Sequence, residues 1–221
     1  MTIAAKEKST RVKPSAGQGE DRKAGIILEA AKKVFLEQGY DASSTDLIAS
    51  TAGVSKATVY KRFKSKEALL IALIDHEIRT TLPETLWQPG SGNLDIEASL
   101  RQIAETYLAI FLTKAGAGLH RLILGQALRH PEIGRMFYAA GPQRTHAQVA
   151  AFIKAAVEKD LLVVPDVSIA ATQFLSLVRG ELTLNSTFSL PFPPKEAVDA
   201  LVDSSIRMFL AAYGRKSDLR R

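Results

Sequence analysis

Hydrophobic residues recur at intervals of three and four along most of this chain, the spacing that lines one face of an α-helix. In the first third, this spacing predicts four helices separated by glycine or serine. Glycine favours helix ends and serine caps helix starts. The predicted boundaries are Asp21 to Gly39, Ser43 or Ser44 to Gly53, Lys56 to Phe63, and Ser65 toward Pro83.

The helical spacing resumes after the stretch Leu86 to Asn93, whose proline and glycines predict a loop. Gly116 and Gly118 are expected to break the pattern, and Gly141-Pro142 is a candidate for a further interruption. The helical segments predicted here are Leu100–Phe111, Leu119–Arg129, Ile133–Lys159, Ile169–Asn185 and Lys195–Tyr213. Because no segment alternates between apolar and polar positions for more than a few residues, the pattern predicts an all-α fold.

The basic charge of the chain is concentrated in its first third. Residues 1–66 carry 13 Lys and Arg against 7 Asp and Glu, so they hold the whole formal net charge of +6. This asymmetry favours a module that faces a polyanion, although a basic tail that only aids solubility would give the same count. Residues 1–20 also lack apolar periodicity, and we expect them to form a disordered basic arm.

The composition excludes several classes of protein. Hydrophobic residues make up 46% of the chain and charged residues 24%, the balance of a globular protein. The absence of cysteine excludes a disulfide scaffold, a zinc finger and a thiol nucleophile. No apolar run approaches the roughly 18 residues of a membrane helix, and the N-terminus has no signal-peptide pattern. We therefore expect a cytoplasmic protein without membrane contact.

Catalytic motifs are also missing from the sequence. His76-Glu77 lacks the second histidine of a zinc protease, and Gly116-Ala117-Gly118 lacks the third glycine of a dinucleotide loop. Neither a phosphate-binding loop nor the serine elbow of a hydrolase is present. The sequence therefore predicts no enzyme, with no catalytic residues, no metal site and no cofactor.

The second and third predicted helices have the spacing of a helix-turn-helix, with Ala52-Gly53-Val54-Ser55 as the turn. On the third helix, Val59 and Phe63 face inward. The opposite face and its flanks carry the predicted DNA-binding residues: Lys56, Ala57, Thr58, Tyr60, Lys61 and Lys64. A small alanine among lysines and hydroxyl groups suits a major groove, although a solvated basic face would look the same.

Two further features predict phosphate contacts. The cap at Ser43 or Ser44 presents unpaired backbone N–H groups at the start of the second helix, where a phosphate oxygen can bind. Lys66, at the start of the fourth helix, is placed to add another contact. Ser43, Ser44 and Lys66 therefore complete the predicted DNA-binding set.

The run AAKKVFLEQGYDASSTDLIASTAGVSKATVYKRFKSKEALLIALI resembles the N-terminal module of the TetR family of bacterial transcriptional regulators. The resemblance covers about residues 23–75, including the F-x-x-x-G-Y turn that ends at Tyr40 and the run Ser65 to Leu69. It implies a homodimer on a near-palindromic operator, with DNA contacts at Lys56, Thr58, Tyr60 and Lys61 and a phosphate contact at Lys66. Thr45 and Leu47 depart from the family pattern, which puts the contacts of the second helix in doubt.

The stretch GLHRLILGQALRHPEIGRMFYAAGPQR resembles the AefR-like subgroup of C-terminal domains. Two amphipathic helices near the C-terminus carry more apolar surface than a monomer needs, and they could form a four-helix dimer interface. The alternative is that these faces form the core of the monomer. The candidate interface residues are Phe174, Leu177, Val178, Leu201, Ile206, Phe209 and Leu210.

A ligand pocket in this helical domain would be apolar with a few polar groups. Polar side chains within apolar helical runs are the candidates, although each could instead be a structural or surface group. The candidates are Tyr107, His120, Gln126 and Gln173. An apolar lining predicts an unknown small-molecule effector that is hydrophobic or aromatic.

Together with these patterns, the resemblance to the TetR family implies a ligand-responsive transcriptional regulator, most simply a repressor that binds double-stranded DNA as a homodimer in the nucleoid. The predicted regions are the arm over 1–20, a helix-turn-helix domain over 21–66, and a larger domain for effector binding and dimerisation over 67–221. The alternative is an architectural or division-control factor on the same fold, which would bind DNA and act through a protein partner.

Overall fold

The computed structural model describes residues 16–81, 85–87 and 94–215, and the helices of this part of the chain make the fold all-α, as predicted. Several of these helices begin at a side-chain cap, and most of them bury apolar residues. Their bounds are α1 Ala16–Gln38, α2 Thr45–Ala52, α3 Lys56–Arg62, α4 Lys66–Thr81, α5 Ile96–Ala109, α6 Lys114–Ala127, α7 Pro131–Tyr138, α8 Arg144–Glu158, α9 Val167–Arg179, α10 Leu182–Thr187 and α11 Lys195–Tyr213.

The chain divides into two compact units, one up to Leu70 and one from Ile71 onward. In the first unit, α1 packs against α2 and α2 against α3. Ile27 and Ile48 are fully buried there, and so is Val59 of α3. Gly53 ends α2 in the left-handed conformation, at a φ of +65°, which glycine adopts without steric cost. This sharp turn allows α3 to start only three residues later.

Helix α1 begins earlier than expected. It starts at Ala16, within the segment predicted to be a disordered arm, and residues 1–15 of that arm lie outside the described residues. The sequence did not predict this part of the helix because Gly17 and Gly19 lie in it, and glycine has a low helix propensity. Once a helix is nucleated, each added residue gains a backbone hydrogen bond, so the helix extends through such positions.

In the second unit, α8 packs on α9, and α11 packs on both α9 and α5. The rings of Phe174 and Phe209 meet edge to face, with 5.1 Å between their centroids, at the centre of this core. Phe174, Val178, Ile206 and Phe209 are each at most 1% exposed, which is incompatible with a place on the monomer's surface. Their assignment to a dimer interface is therefore wrong, and the alternative, the monomer core, is correct for these four residues.

Two helix boundaries in this unit differ from the prediction. Helix α6 begins at Lys114 and includes Gly116 and Gly118, which were expected to break it. The predicted helix Ile169–Asn185 is instead divided at Gly180, whose φ of +45° ends α9. Between α7 and α8, residues Ala139–Gln143 form a π-helical turn that contains Pro142, where an interruption was expected.

Among the described residues, no single helix is long and apolar enough to cross a membrane. Helices α5 and α6 together have the length and the apolar composition of a membrane span, but the pair is bent by 66°.

Candidate nucleic-acid interface and helical cavity

Helix α3 presents a small, basic surface to solvent. Its start is capped by Ser55, whose hydroxyl accepts a hydrogen bond from the Thr58 backbone N–H at 3.2 Å and lies 2.8 Å from the Thr58 hydroxyl. The four positions predicted to share the outward face are all exposed: Ala57, Tyr60, Lys61 and Lys64. For Ala57, Tyr60 and Lys61 this exposure agrees with the helical spacing, whereas Lys64 lies two residues beyond the end of α3, where helical spacing no longer applies. Contact of these residues with DNA stays a prediction.

Two of the outward side chains are held by α2. The hydroxyls of Tyr60 and Thr45 lie 3.0 Å apart, and the Lys56 ammonium lies 2.7 Å from the Asp46 carboxylate. The hydrogen bond and the charge of Asp46 raise the pKa of Lys56. By contrast, neither Lys61 nor Lys64 forms a hydrogen bond or ion pair with the residues that the structure describes. These two ammonium groups are therefore available to an external anion.

The basic surface is wider than α3 alone. A shallow depression is lined by Lys23 of α1 together with Ala57, Thr58, Lys61 and Arg62. Lys23 and Arg62 were not among the predicted DNA-binding residues. Sequence spacing within α3 gives no information about Lys23, because that side chain comes from α1. The depression brings three basic side chains around one alanine.

The start of α2 differs from the prediction at Ser43. Ser44 is the N-cap and accepts a hydrogen bond from the Leu47 backbone N–H at 3.1 Å. Ser43 is only 5% exposed, and its hydroxyl donates to the Tyr40 carbonyl at 2.7 Å. Ser43 therefore stabilises the turn between α1 and α2, and its side chain does not point toward a ligand.

Lys66 also serves the turn between α1 and α2. Its ammonium donates to the carbonyl oxygens of Tyr40, Ser43 and Asp41, at 2.7, 3.1 and 3.3 Å. It also lies 4.4 Å from the centroid of the Tyr40 ring. All three N–H donors of the ammonium are therefore used within the protein, in contrast to the predicted phosphate contact.

A cavity of about 160 Å³ lies in the second unit. Helices α4, α5, α6, α7 and α9 and the π-helical turn all contribute to its wall. Two of the predicted ligand-binding residues, Tyr107 and His120, line it. The wall is mostly apolar and aromatic, with Ile78, Ile110, Phe111, Leu119, Phe137 and Pro142 among its members.

His120 lies among aromatic rings in this wall. Its ring centroid is 5.8 Å from that of Phe111 and 6.0 Å from that of Phe137. Its Nδ1 atom is buried and has no hydrogen-bond partner among the described residues. Burial, followed by the positive charges of Arg179 and Arg121, lowers the pKa of His120 below its ordinary value. These surroundings therefore favour the neutral form of the imidazole.

Tyr107 and Arg179 form the second polar group of the cavity. Burial raises the pKa of the Tyr107 hydroxyl, and the charge of Arg179 and its hydrogen bond oppose that effect. Arg179 belongs to the last turn of α9, and its side chain reaches the cavity together with the buried Glu77 of α4. The wall thus contains both a guanidinium and a carboxylate.

The other two predicted ligand-binding residues lie elsewhere. Gln126 is buried outside the cavity wall, and Gln173 accepts a hydrogen bond from the Tyr213 hydroxyl in an outer groove. Gln126 follows His120 by six positions and Gln173 precedes Arg179 by six. At 100° per residue, six positions turn a helix by 240°, so each glutamine lies on a different face from its neighbour in the cavity.

The outer groove runs between α9 and α11. Its lining includes Gln173, Ser176, Leu177, Met208 and Ala212. Of the predicted interface residues, Leu177 is half-buried and lines this groove, while Leu201 and Leu210 are half-buried against the core. Met208 is 57% exposed, although it is a large apolar side chain.

Comparison with known proteins identifies the kind of protein that carries these features. Residues 27–73 match the family model described as bacterial regulatory proteins of the tetR family. Residues 98–215 match the C-terminal domain of AefR-like transcriptional repressors, and this match covers more than half of the chain. The chain belongs to the TetR family. Both resemblances predicted from the sequence are confirmed, and the members are DNA-binding transcriptional regulators rather than enzymes.

Individual members of the TetR family show similarity over most of the chain. The transcriptional regulator YhgD of Bacillus subtilis strain 168 is 34% identical over 138 residues, which are 62% of this chain and 68% of YhgD. A TetR-family regulator from Mesorhizobium loti MAFF303099 has a TM-score of 0.76 at 29% identity, with 89% of this chain and 98% of that one covered. The flavonoid-responsive regulator FrrA is 37% identical, with a TM-score of 0.71 over 89% of this chain and 99% of FrrA.

Proposed function

We propose that this chain is a ligand-responsive repressor that binds a palindromic operator as a homodimer. The observation that carries the proposal is the exposed face of α3, where Ala57 and Lys61 line one depression. The Lys61 ammonium has no partner among the described residues, and neither has that of Lys64, two residues beyond the end of α3. We assign DNA binding to residues 21–66, and effector binding and dimerisation to 67–221. Repression is supported by the description of the matching C-terminal model, and a chromosomal operator implies action in the cytoplasm, at the nucleoid.

The proposed DNA contacts follow from the size and charge of each side chain. Ala57 lets the backbone of α3 approach the base edges of the major groove, and Lys61 reaches a guanine or a phosphate. Lys64 and Lys23 contact phosphates on either side, which fixes the position of the helix without reading sequence. Tyr60, oriented by Thr45, donates to a phosphate oxygen.

The side chains of Lys56 and Thr58 already have partners within the protein, which compete with DNA for them. Lys56 pairs with Asp46, and the Thr58 hydroxyl lies against that of Ser55. Contact with DNA therefore requires these two side chains to exchange one partner for another. We expect them to contribute less to affinity than Lys61 and Lys64, because the internal interaction is broken when the external one forms.

A homodimer is supported by the outer groove of α9 and α11. Met208 and Ile169 expose 57% and 54% of their surfaces on these two helices, and Leu177 lies in the groove between them. A two-fold axis at this groove would pack α9 and α11 against their symmetry mates in a four-helix arrangement. Binding to two half-sites of an operator would require the two copies of α3 to lie about one helical turn of DNA apart, on the order of 34–36 Å.

A small apolar or aromatic effector is supported by the cavity of the second unit. Its aromatic wall suits a planar ring, and FrrA, a protein of similar sequence and fold, is named as flavonoid-responsive. Helix α4 carries Lys66 at its first position and the cavity residues Glu77 and Ile78 near its end. A ligand that displaces α4 would change the separation of the two α3 helices, and affinity falls if the ligand prefers that state.

The test of DNA recognition is selection of bound duplexes from a random pool at two salt concentrations. We expect an inverted repeat to be enriched, and we expect Lys61→Ala to weaken binding to it at least tenfold without changing the melting temperature. The slope of log affinity against log salt should fall by about 0.9 for each phosphate that the variant no longer neutralises. Lys154→Ala, which removes the same charge from an exposed site on α8, is the matched control.

The opposite outcome is equally informative. Binding that enriches no sequence and disappears as salt rises would mean attraction to phosphate alone. That result would overturn the operator-binding repressor and favour the alternative, a DNA-binding factor on the same fold that acts through a protein partner.

A further inference from the structure

The polar groups of the cavity narrow the chemistry of its ligand. Nδ1 of His120 is buried in the wall without a hydrogen-bond partner among the described residues, although buried polar groups are normally paired. The rings of Phe111 and Phe137 lie within 6.0 Å of the imidazole, so a planar ligand beside them would bring a polar substituent close to Nδ1. We propose that the cavity selects aromatic ligands that carry a hydroxyl group, and that this hydroxyl hydrogen-bonds to His120. The inference rests on the proposed ligand response.

A hydroxyl matches a neutral imidazole better than other substituents do. The lowered pKa leaves His120 with one ring nitrogen as donor and the other as acceptor. A carboxylate or an ether oxygen only accepts, so it pairs with Nδ1 in one tautomer alone. A hydroxyl donates and accepts, so it pairs with Nδ1 in either tautomer.

The charges in the wall favour a neutral ligand. Arg179 and Glu77 both line the cavity, and their formal charges cancel. A neutral ligand leaves this balance unchanged, whereas a charged ligand would add an uncompensated charge to a largely apolar wall. A phenol is uncharged at pH 7 because its pKa is near that of tyrosine, about 10.

The volume of the cavity sets the size of the ligand core. An apolar cavity of about 150 Å³ in another protein accommodates benzene. The cavity here, at about 160 Å³, therefore holds one substituted ring. A larger phenol would bind with one hydroxylated ring in the cavity and the rest of the molecule outside.

The test compares two probes of the same shape, para-cresol and para-xylene, in which a hydroxyl replaces a methyl group. Their affinities for the full chain and for His120→Phe are measured by titration calorimetry. The quantity of interest is the ratio of the two affinities, because the different costs of removing the probes from water cancel between the two proteins. We expect the ratio of cresol to xylene affinity to fall about fivefold to tenfold in His120→Phe, the value of one hydrogen bond.

Phe137→Leu is the matched control. It removes ring contact from the same wall without removing a polar atom, so both affinities should fall while their ratio stays that of the wild type. Melting temperatures show whether each variant is folded. If His120→Phe does not fold, His120→Leu replaces it, because it also lacks a hydrogen-bonding atom.

The possible results of this test distinguish failure of the hydroxyl contact from failure of the proposed aromatic effector. If both probes bind and the ratio is the same in wild type and His120→Phe, the hydroxyl contact is wrong and the ligand response stands. If neither probe binds to the wild type, the cavity is not an aromatic site, and both the inference and the proposed aromatic effector are overturned.

Discussion

Lys64 and Lys66 lie two residues apart and have different surroundings. The side chain of Lys64 is exposed, without a hydrogen bond or ion pair to the residues described, whereas the Lys66 ammonium donates to three backbone carbonyls of the turn between α1 and α2. A buried or half-buried carbonyl that loses its donor must be solvated again or remain unpaired. Stability and DNA binding should therefore depend on different lysines.

We expect Lys66→Met to lower the free energy of unfolding by about 1–3 kcal/mol, because it removes hydrogen bonds from a charged group while keeping the length of the side chain. Lys64→Met should leave the stability within about 0.5 kcal/mol of the wild type and weaken DNA binding. Urea denaturation followed by circular dichroism measures the first effect, and operator titration the second. A Lys66→Met protein with normal stability and poor DNA affinity would show instead that Lys66 contacts phosphate.

Whether the role of a residue can be predicted from the sequence depends on what its side chain contacts. The outward face of α3 follows from a period of 3.6 residues, so Ala57 and Lys61 could be placed from the sequence alone. The role of Lys66 could not, because its partners are backbone carbonyls, which every residue possesses and no sequence pattern marks. Ser43 and Ser44 are equally good caps by residue type, and only the geometry of the turn decides between them.

At the scale of single helices, α6 shows how a glycine can be required inside a helix. A Cβ atom on Gly116 would lie 2.0 Å from the Ile110 carbonyl oxygen and 3.0 Å from the Thr113 hydroxyl. This close approach joins the end of α5 to the start of α6. Gly125, in the same helix, has open space around the corresponding position.

We expect Gly116→Ala to destabilise the protein by about 1–3 kcal/mol, since the backbone of Ile110 must shift to admit a methyl group. Gly125→Ala should stabilise it by up to about 1 kcal/mol, because alanine has the higher helix propensity at an exposed position. Thermal unfolding of the two variants, each compared with the wild type, shows whether each substitution lowers or raises the stability. Equal and favourable effects would contradict the close approach at Gly116.

Glycines also explain which helix boundaries the sequence predicted wrongly. Gly116 lies inside α6, whereas Gly180 ends α9 with a φ of +45°, yet both interrupt apolar runs in the same way. A glycine is compatible with a helix interior and with a helix end, and tertiary contacts decide between them. The existence of the helices was predictable because it depends on apolar periodicity, which extends over many residues.

At the scale of the whole molecule, the question is which apolar surface joins two copies of the chain. Amphipathic spacing in α9 and α11 identifies an apolar face but does not distinguish a core face from an interface. The four most deeply buried candidates belong to the core, and the surface left on these helices carries Ile169, Leu177 and Met208. Exposed apolar side chains on adjacent helices are typical of a protein–protein contact.

We expect Met208→Lys to convert the proposed homodimer into a monomer, because it places a charge in the centre of an interface that excludes water. Sedimentation equilibrium measures the change, and operator affinity should fall in parallel because a monomer contacts one half-site. Leu128→Lys is the control, since Leu128 is 93% exposed on the residue that follows α6 and lies outside the groove. If the Met208→Lys protein remains dimeric, the two-fold axis lies on another surface. Sedimentation equilibrium and operator titration of Ile169→Lys would then test the surface near the start of α9.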